Sequence, residues 1–228
     1  DLCEQSVIIY EKYFPENHSD IIRPLANLGH VLRELGHYKQ AIIALGKTSK
    51  IRERYFENQG KMAWSISDLS ALATLGYTYC EIGHYEKAKN LLQKSLDIFK
   101  KQFPTNSIGT FRTLSMLGKT HYKLGNYREA KKILEQCYRI GIKEYPQNHY
   151  TLLWVVESLG NVHKGLGNYK EAKKILNECL TAYERHYGGK NHEGIARVLL
   201  DLGCVCLDEG RIDSAEKYIR KSLEIFQH

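Results

Sequence analysis

Apolar residues recur at every third or fourth position along almost the whole chain, in runs broken by short polar turns that carry glycine. That period marks amphipathic helices, and no strict alternation marks a strand. The stretch Leu117 to Tyr145, LGKTHYKLGNYREAKKILEQCYRIGIKEY, holds the repeating unit. It opens with Leu117-Gly118, turns at Leu124-Gly125-Asn126-Tyr127, and sets Ala130 early in a second apolar run. The frame recurs at Leu28-Gly29, Gly36-His37-Tyr38, Ala41, and at Leu75-Gly76, Gly83-His84-Tyr85, Ala88. It recurs again at Leu159-Gly160, Gly167-Asn168-Tyr169, Ala172, and at Leu202-Gly203, Gly210-Arg211-Ile212, Ala215. The first glycine stands at 29, 76, 118, 160 and 203, in steps of 47, 42, 42 and 43 residues. A fixed period of this size is the mark of a repeat array.

Each copy predicts two helices and a tight turn. The first glycine lies inside a helix, where it costs about 1 kcal/mol relative to alanine. Its recurrence implies that the missing side chain is wanted, and the alanine twelve residues on is the expected facing residue. The second glycine follows the last apolar residue of the first helix, the place for a left-handed cap. Thr48, Ser95, Cys137, Cys179 and Ser222, all small, stand nineteen residues after the first glycine and suggest a crowded crossing toward the next copy. Phe56, Phe103, Tyr145 and Tyr187, a further eight residues on, are expected to plug the groove between repeats.

The pattern L-G…Y…G-x-Y…A resembles the tetratricopeptide repeat (TPR), whose usual length is 34 residues. The longer step, with second helices ending in Phe103-Pro104, Tyr145-Pro146 or Tyr187-Gly188, is similar to the kinesin-light-chain type. The resemblance implies an all-α fold: a right-handed α-solenoid of five helix-turn-helix repeats plus one leading half-repeat, about eleven helices. The expected layout is a single domain over 1–228. It comprises a half-repeat at 1–18 and repeats at about 19–56, 65–102, 107–144, 149–186 and 191–227. The link from Phe56 to Asp68 is longer than the others and reads as a loop or an early start to the next helix. Residues 1 to 14 read as a second helix without its partner, and no capping helix follows Phe226. The chain is therefore expected to be a fragment of a longer protein, with apolar ends (Val7, Ile8, Tyr218, Phe226) that favour self-association.

Charge adds a basic balance: 33 Lys and Arg against 26 Asp and Glu, net +7. Many lysines, such as Lys87, Lys131, Lys132 and Lys173, fall on second helices, which in this repeat type face outward. The excess thus reads as a solvated wall and not as a nucleic-acid surface. The six cysteines form no CxxC pair, and Cys137 and Cys179 sit at the small crossing position, so reduced core thiols and a cytoplasmic location are expected. No run is long and apolar enough for a transmembrane helix, so no membrane partner is expected.

Catalytic patterns are missing: there is no HExxH, no GxSxG and no nucleotide-binding loop. No catalytic residue, metal or cofactor is expected, and the chain reads as no enzyme. His121 and His163 occupy equivalent positions and read as satisfied, partly buried residues. His18, His149 and His192 read as corner residues that cap or pack. In TPR arrays the inner wall is lined by first-helix positions at −6, −3, +1, +4 and +5 from the first glycine, which share one helical stripe. The candidate peptide-binding residues drawn from it are Tyr77, Arg112, Lys119, Tyr122, Lys123, Trp154, Asn161, Lys164 and Arg197. Cations and aromatics together suit an acidic, extended protein segment. The expected function is a non-catalytic protein-protein interaction scaffold. The alternative is a regulatory, partner-sensing module of an enzyme, a nucleotide-switch protein or a bacterial host-directed effector, whose location would then be the host cytoplasm. The lysine and asparagine set of TPR clamps for chaperone tails is not matched, since Ala73, Ser115 and Glu157 stand where lysine is required.

Overall fold

The structure is a computed structural model, and it describes residues 5, 8–9, 12, 19–59, 64–104, 107–146, 149–188 and 192–227. All regular structure among these residues is helical. The expected first helix falls mostly outside them, as do Val7, His18 and residues 60–63. The chain divides into two compact units, Asp1–Thr120 and His121–His228.

In the first unit a 3-10 turn (Ser19–Ile21) leads into α1 (Ile22–Glu34), α2 (Tyr38–Gln59), α3 (Ile66–Glu81) and α4 (Tyr85–Gln102). Helix α5 (Ser107–Lys123) follows, its residues through Thr120 belonging to this unit. In the second unit lie α6 (Tyr127–Glu144), α7 (Tyr150–Gly165), α8 (Tyr169–Tyr187), α9 (Glu193–Asp208) and α10 (Ile212–Phe226). The extra residues after Phe56 go partly into a longer helix, because α2 continues to Gln59. Helix α3 then opens on a capping box: Ser65 accepts from the Asp68 amide while Asp68 accepts from the Ser65 amide. The buried Asp68 carboxylate also receives Arg52 of α2 at 2.7 Å, which ties the lengthened helix to its neighbour.

The turns between the two helices of a repeat share one construction. The second glycines, Gly36, Gly83, Gly125, Gly167 and Gly210, have φ between +74° and +85°. In the first turn the Gly36 amide bonds the Arg33 carbonyl and the His37 amide bonds Leu32, a Schellman cap. The same pair recurs at Gly83, Gly125, Gly167 and Gly210. The residue after each glycine also starts the next helix, since its carbonyl accepts from the recurring alanine amide (Ala41, Ala88, Ala130, Ala172, Ala215) at 2.9–3.0 Å. One residue thus ends the first helix and begins the second.

The first glycine does not face the alanine side chain, as its recurrence suggested. A methyl group at Gly76 would meet Leu92 at 2.9 Å and the Ala88 carbonyl at 3.2 Å. At Gly160 it would meet Leu176 at 2.7 Å, and at Gly203 it would meet Ile219 at 2.7 Å. The glycine therefore admits the branched side chain one turn beyond the alanine, while the alanine lets the backbones close. The small residues likewise bind within their own repeat and not toward the next. Ser95 Oγ donates to the Leu69 carbonyl at 3.0 Å, Cys179 Sγ to Leu153 at 3.3 Å and Ser222 Oγ to Ala196 at 2.7 Å. Thr48 instead donates to Leu45 of its own helix. A longer side chain at these buried points would hold the second helix off the first.

At two of the junctions between repeats an aromatic ring lies beneath a glycine. Phe99 of α4 is buried against Gly109 of α5, and Tyr183 of α8 against Gly194 of α9, where a Cβ would come within 2.8 Å of the ring. The terminal aromatics of the second helices stack on corner histidines: Tyr145 on His149 at 4.8 Å and Tyr187 on His192 at 3.5 Å between centroids. His149 and His192 also cap α7 and α9, their Nδ1 atoms accepting from the Thr151 and Gly194 amides. Phe103 packs edge-on against Phe99. Of the expected apolar ends, Ile8 and Phe226 are exposed, while Tyr218 is half-buried against the core.

Gly76→Ala is expected to destabilise the protein by about 1–2 kcal/mol, because the methyl meets the Ala88 backbone and Leu92. Gly46→Ala, at a site in α2 with nothing within 4 Å, is expected to stabilise by about 0.5–1 kcal/mol through helix propensity alone. Thermal melts of the two variants check the pair; equal shifts would defeat the close-packing account.

Candidate functional site

In the first unit, Tyr77 of α3 is half-buried and held between two cations. Lys119 Nζ donates to its hydroxyl at 2.6 Å and lies 4.9 Å from the ring centre, while the Arg33 guanidinium lies 5.3 Å from that centre. Lys119 also donates to Glu81 at 3.1 Å. Burial works to lower the Lys119 pKa, but the Tyr77 phenol and the Glu81 carboxylate outweigh it and hold the ammonium above its ordinary value. The Tyr77 phenol is itself pushed up, chiefly by burial. Lys119 is therefore one half of a built pair.

Arg112 of α5 is exposed and stands at the rim of a pocket of about 100 Å³ between α3, α4 and α5. Ile66, Phe99, Ile108 and Met116 line its apolar part, and the buried Thr74 lines it as well. Of the sequence-chosen residues, this unit holds Tyr77 and Lys119 in contact and Arg112 apart, beside the pocket.

In the second unit the chosen residues form a denser network. Arg197 of α9 donates through Nε and one terminal nitrogen to the two oxygens of Glu157 on α7, at 2.6 and 2.9 Å. Glu157 is buried, and this forked pair, helped by Glu193, raises the Arg197 pKa. Asn161 Nδ2 donates to Asp201 Oδ2 at 2.6 Å, and the Asn161 Oδ1 is buried without a hydrogen-bond partner among the described residues. Burial pushes the Asp201 carboxyl up to about 6; the Asn161 bond opposes the shift and the nearby Glu157 adds to it. Tyr122 is half-buried 5.6 Å from the Tyr127 ring, its phenol raised by burial, with Lys164 pulling the other way. Trp154 is half-exposed on α7, and Lys123 is exposed at the end of α5.

Residues at the −3 position are not open wall. Ala73, Ser115 and Glu157 are buried, and the outlier is Leu200, 40% exposed on α9. The sequence reading did not pair the chosen cations with the acids that answer them, Glu81 and Glu157, nor Asn161 with Asp201. Each lies roughly one repeat from its partner, and that separation was the available signal. His163 departs from expectation as well: its buried Nδ1 finds no partner among the described residues, and burial followed by Lys131 lowers its pKa. Cys137 and Cys179 are buried thiols with pKa values raised by burial, as their position implied. Among the described residues no three His, Cys, Asp or Glu side chains gather to hold a metal, and no helix is long and apolar enough to cross a membrane.

A family model described as Tetratricopeptide repeat matches residues 67–143 and 151–228, and a second of the same description matches 22–54. The chain belongs to the tetratricopeptide repeat family. Its long-period array is of the kinesin-light-chain-like type in fold, as two solved relatives attest. One of these, the kinesin light chain nearly identical TPR-like repeats of Podosopora anserina, is 20% identical, with a TM-score of 0.66 over 91% of this chain and 96% of that one. A Rap protein complexed with Competence and Sporulation Factor is 14% identical, with a TM-score of 0.72 over 98% of this chain and 62% of that one. NprR in complex with its cognate peptide NprX is 16% identical, with a TM-score of 0.71 over 97% and 59%. No curated protein matches the chain in sequence.

Asp201→Asn is expected to stabilise the protein at neutral pH by about 1–2 kcal/mol, because a carboxyl with a raised folded-state pKa costs stability once ionised. The sign follows from the direction of the shift. The wild-type contribution is whole below the unfolded carboxyl pKa of about 4 and is lost as pH rises through about 6. The advantage of the variant should therefore vanish below about pH 4. Denaturant titrations across that range measure it, and a pH-independent difference would contradict the burial of the charge.

Proposed function

We propose that the chain is a non-catalytic protein-interaction scaffold that binds extended, acidic peptide segments against the inner faces of its first helices. The observation that carries this reading is a set of cations the fold does not consume. Arg112 in the first unit, and Lys123 and Lys164 in the second, form no ion pair among the described residues. Half-buried aromatic rings stand on the same helical faces: Tyr77 in the first unit, Tyr122 and Trp154 in the second. Uncompensated charge of one sign steers an oppositely charged segment, and aromatic anchors slow its departure. The cognate peptide bound by the fold-neighbour NprR supports a peptide as the class of partner. Lys119 and Arg197 enter as supports, since each already carries an internal carboxylate. Asn161 is likewise held by Asp201. The buried thiols Cys179 and Cys206 support a cytoplasmic location.

The test is selection of a random peptide display library on the wild-type chain, followed by binding measurements on Arg112→Glu/Lys123→Glu/Lys164→Glu. Acidic sequences with an apolar residue should be enriched. The triple reversal should weaken them about 10- to 100-fold at low salt, mainly through slower association. Trp154→Ala should instead speed dissociation of segments bound to the second unit. Lys119→Glu is unsuited to this test, because it would set two carboxylates together beside Tyr77. Equal affinity for wild type and triple variant would move the binding site off these faces.

A further inference from the structure

We propose that the pocket in the first unit receives a glutamate side chain of the bound segment, whose carboxylate meets Arg112 as the Glu157 carboxylate meets Arg197 in the second unit. This rests on the acidic-segment reading above and names the side chain that one point of the inner face selects. Its ground is an equivalence within the chain. Arg112 and Arg197 each stand six residues before the repeat glycine of their helix, Gly118 and Gly203. Each has the same frame beside it: Phe99 lies against Gly109, and Tyr183 against Gly194. In the second unit the arginine is answered. Glu157, three residues before Gly160 on α7, accepts from its Nε and one terminal nitrogen at 2.6 and 2.9 Å. The Tyr183 hydroxyl and Glu193 each accept from it at 3.4 Å. In the first unit each of these partners is replaced by a side chain that cannot accept. Ala73 stands at the place of Glu157, Phe99 at that of Tyr183 and Ile108 at that of Glu193.

The exchange leaves both a charge and a space. Arg112 is exposed and makes no ion pair among the described residues. Ala73 and Arg112 both line the pocket of about 100 Å³, together with Ile66, Phe99, Ile108 and Met116, and no acid is among the lining residues. The pocket therefore opens between the two residues whose equivalents are joined by the Glu157 carboxylate.

The volume and the lining choose the occupant. A cavity of roughly 150 Å³ takes a benzene ring, so this smaller pocket favours a slim, unbranched side chain over an aromatic one. Glutamate meets both demands. Its methylenes lie against Ile66, Ile108 and Met116, and its two oxygens take the guanidinium in the forked geometry that Arg197 shows. Ile66 and Ile108, 48% and 50% exposed, flank the entry and lose water when the side chain arrives. Aspartate is one methylene shorter and forgoes part of that contact.

The experiment uses the whole chain and three capped hexapeptides that alternate Leu with Glu, Asp or Gln, plus the Gln peptide with a free C-terminal carboxylate. Calorimetry gives affinities, and methyl NMR follows Ile66, Ile108 and Met116. The Glu probe is expected to bind and to move all three sets of signals. The Asp probe should bind about three- to five-fold more weakly, and the capped Gln probe at least about ten-fold more weakly. Arg112→Gln should weaken the Glu probe about ten-fold and leave the methyl signals unmoved by it. Ala73→Glu should do the same for the opposite reason, because its own carboxylate fills the pocket and pairs with Arg112. A double-mutant cycle of thermal stability over Ala73→Glu and Arg112→Gln reads that pair with no ligand present and is expected to show favourable coupling; zero coupling would remove the equivalence on which the site rests. Arg112→Gln alters an exposed residue, so it decides the point even where Ala73→Glu does not fold. If the Glu probe binds wild type and both variants alike and the methyl signals stay still, the pocket is overturned while the scaffold reading stands. If the free-ended probe alone moves the signals, or the capped Gln probe moves them as far, the occupant is a chain end or a leucine and the glutamate assignment fails. If no probe binds in low salt, acidic specificity falls, and the pocket falls with it.

Discussion

The turn between paired helices is the constraint on which the rest of the structure depends. A glycine at φ near +75° closes one helix with two backbone hydrogen bonds, and the residue after it opens the next. With no spare residue in the linker, the second helix has little freedom in where it starts. The two helices must then pack at the distance their facing side chains allow. That is why a costly glycine is kept inside each first helix: the side chain arriving from the partner at Gly76 or Gly160 leaves no room even for a methyl group. The small residues that donate to first-helix carbonyls close the other end of the same pair. Turn, glycine and small donor together make the pair nearly rigid, so that the first-helix face can hold side chains at set positions.

Much of this was legible because its causes are local. Glycine period, cap position and helical periodicity are properties of adjacent letters, and they announced the fold and the helices. What escaped was the pairing of letters across the unit. The Leu or Ile that fills the space above the first glycine looks like any core residue in sequence. So does Phe99, until Gly109 ten residues on is seen to lie over its ring. The same limit governs the inner faces. Stripe positions follow from helix geometry, and they named Tyr77, Lys119, Asn161 and Arg197. They did not reveal that Glu81, Asp201 and Glu157 already answer three of these. Those partners sit 38 to 40 residues away, where only the stacking of helices brings them within reach.

Internal pairing changes what each polar residue can contribute. In a forked pair such as Arg197–Glu157 the carboxylate is buried, and breaking the pair for a ligand would leave that buried carboxylate alone. Such a pair ties α7 to α9 and is a poor docking point. A cation that the fold leaves exposed has the opposite character. Arg112 is exposed, lines the pocket between α3, α4 and α5, and makes no ion pair among the described residues. The useful division on these faces therefore lies between charges the fold has neutralised and charges it has left standing, and not between positive and negative.

That division also bears on how a repeat protein of fixed architecture acquires a particular partner. The residues that keep the helices together, namely the glycines, the alanines and the small donors, recur from copy to copy and cannot encode specificity. The side chains at the +1 and +4 stripe positions differ in every copy: Tyr77 and Cys80, Lys119 and Tyr122, Asn161 and Lys164, Cys204 and Leu207. Because the frame holds them to a common geometry, exchanging one changes the chemistry offered at a point without moving its neighbours. Where an exchange produces a complementary pair it stiffens the array, and where it leaves a charge or an aromatic ring unmatched it creates a demand that a partner can meet. The first unit carries both outcomes within one face, a matched Lys119–Tyr77–Glu81 cluster and an unmatched Arg112, so the same arrangement that secures the helices also holds the unmatched group where a ligand can reach it.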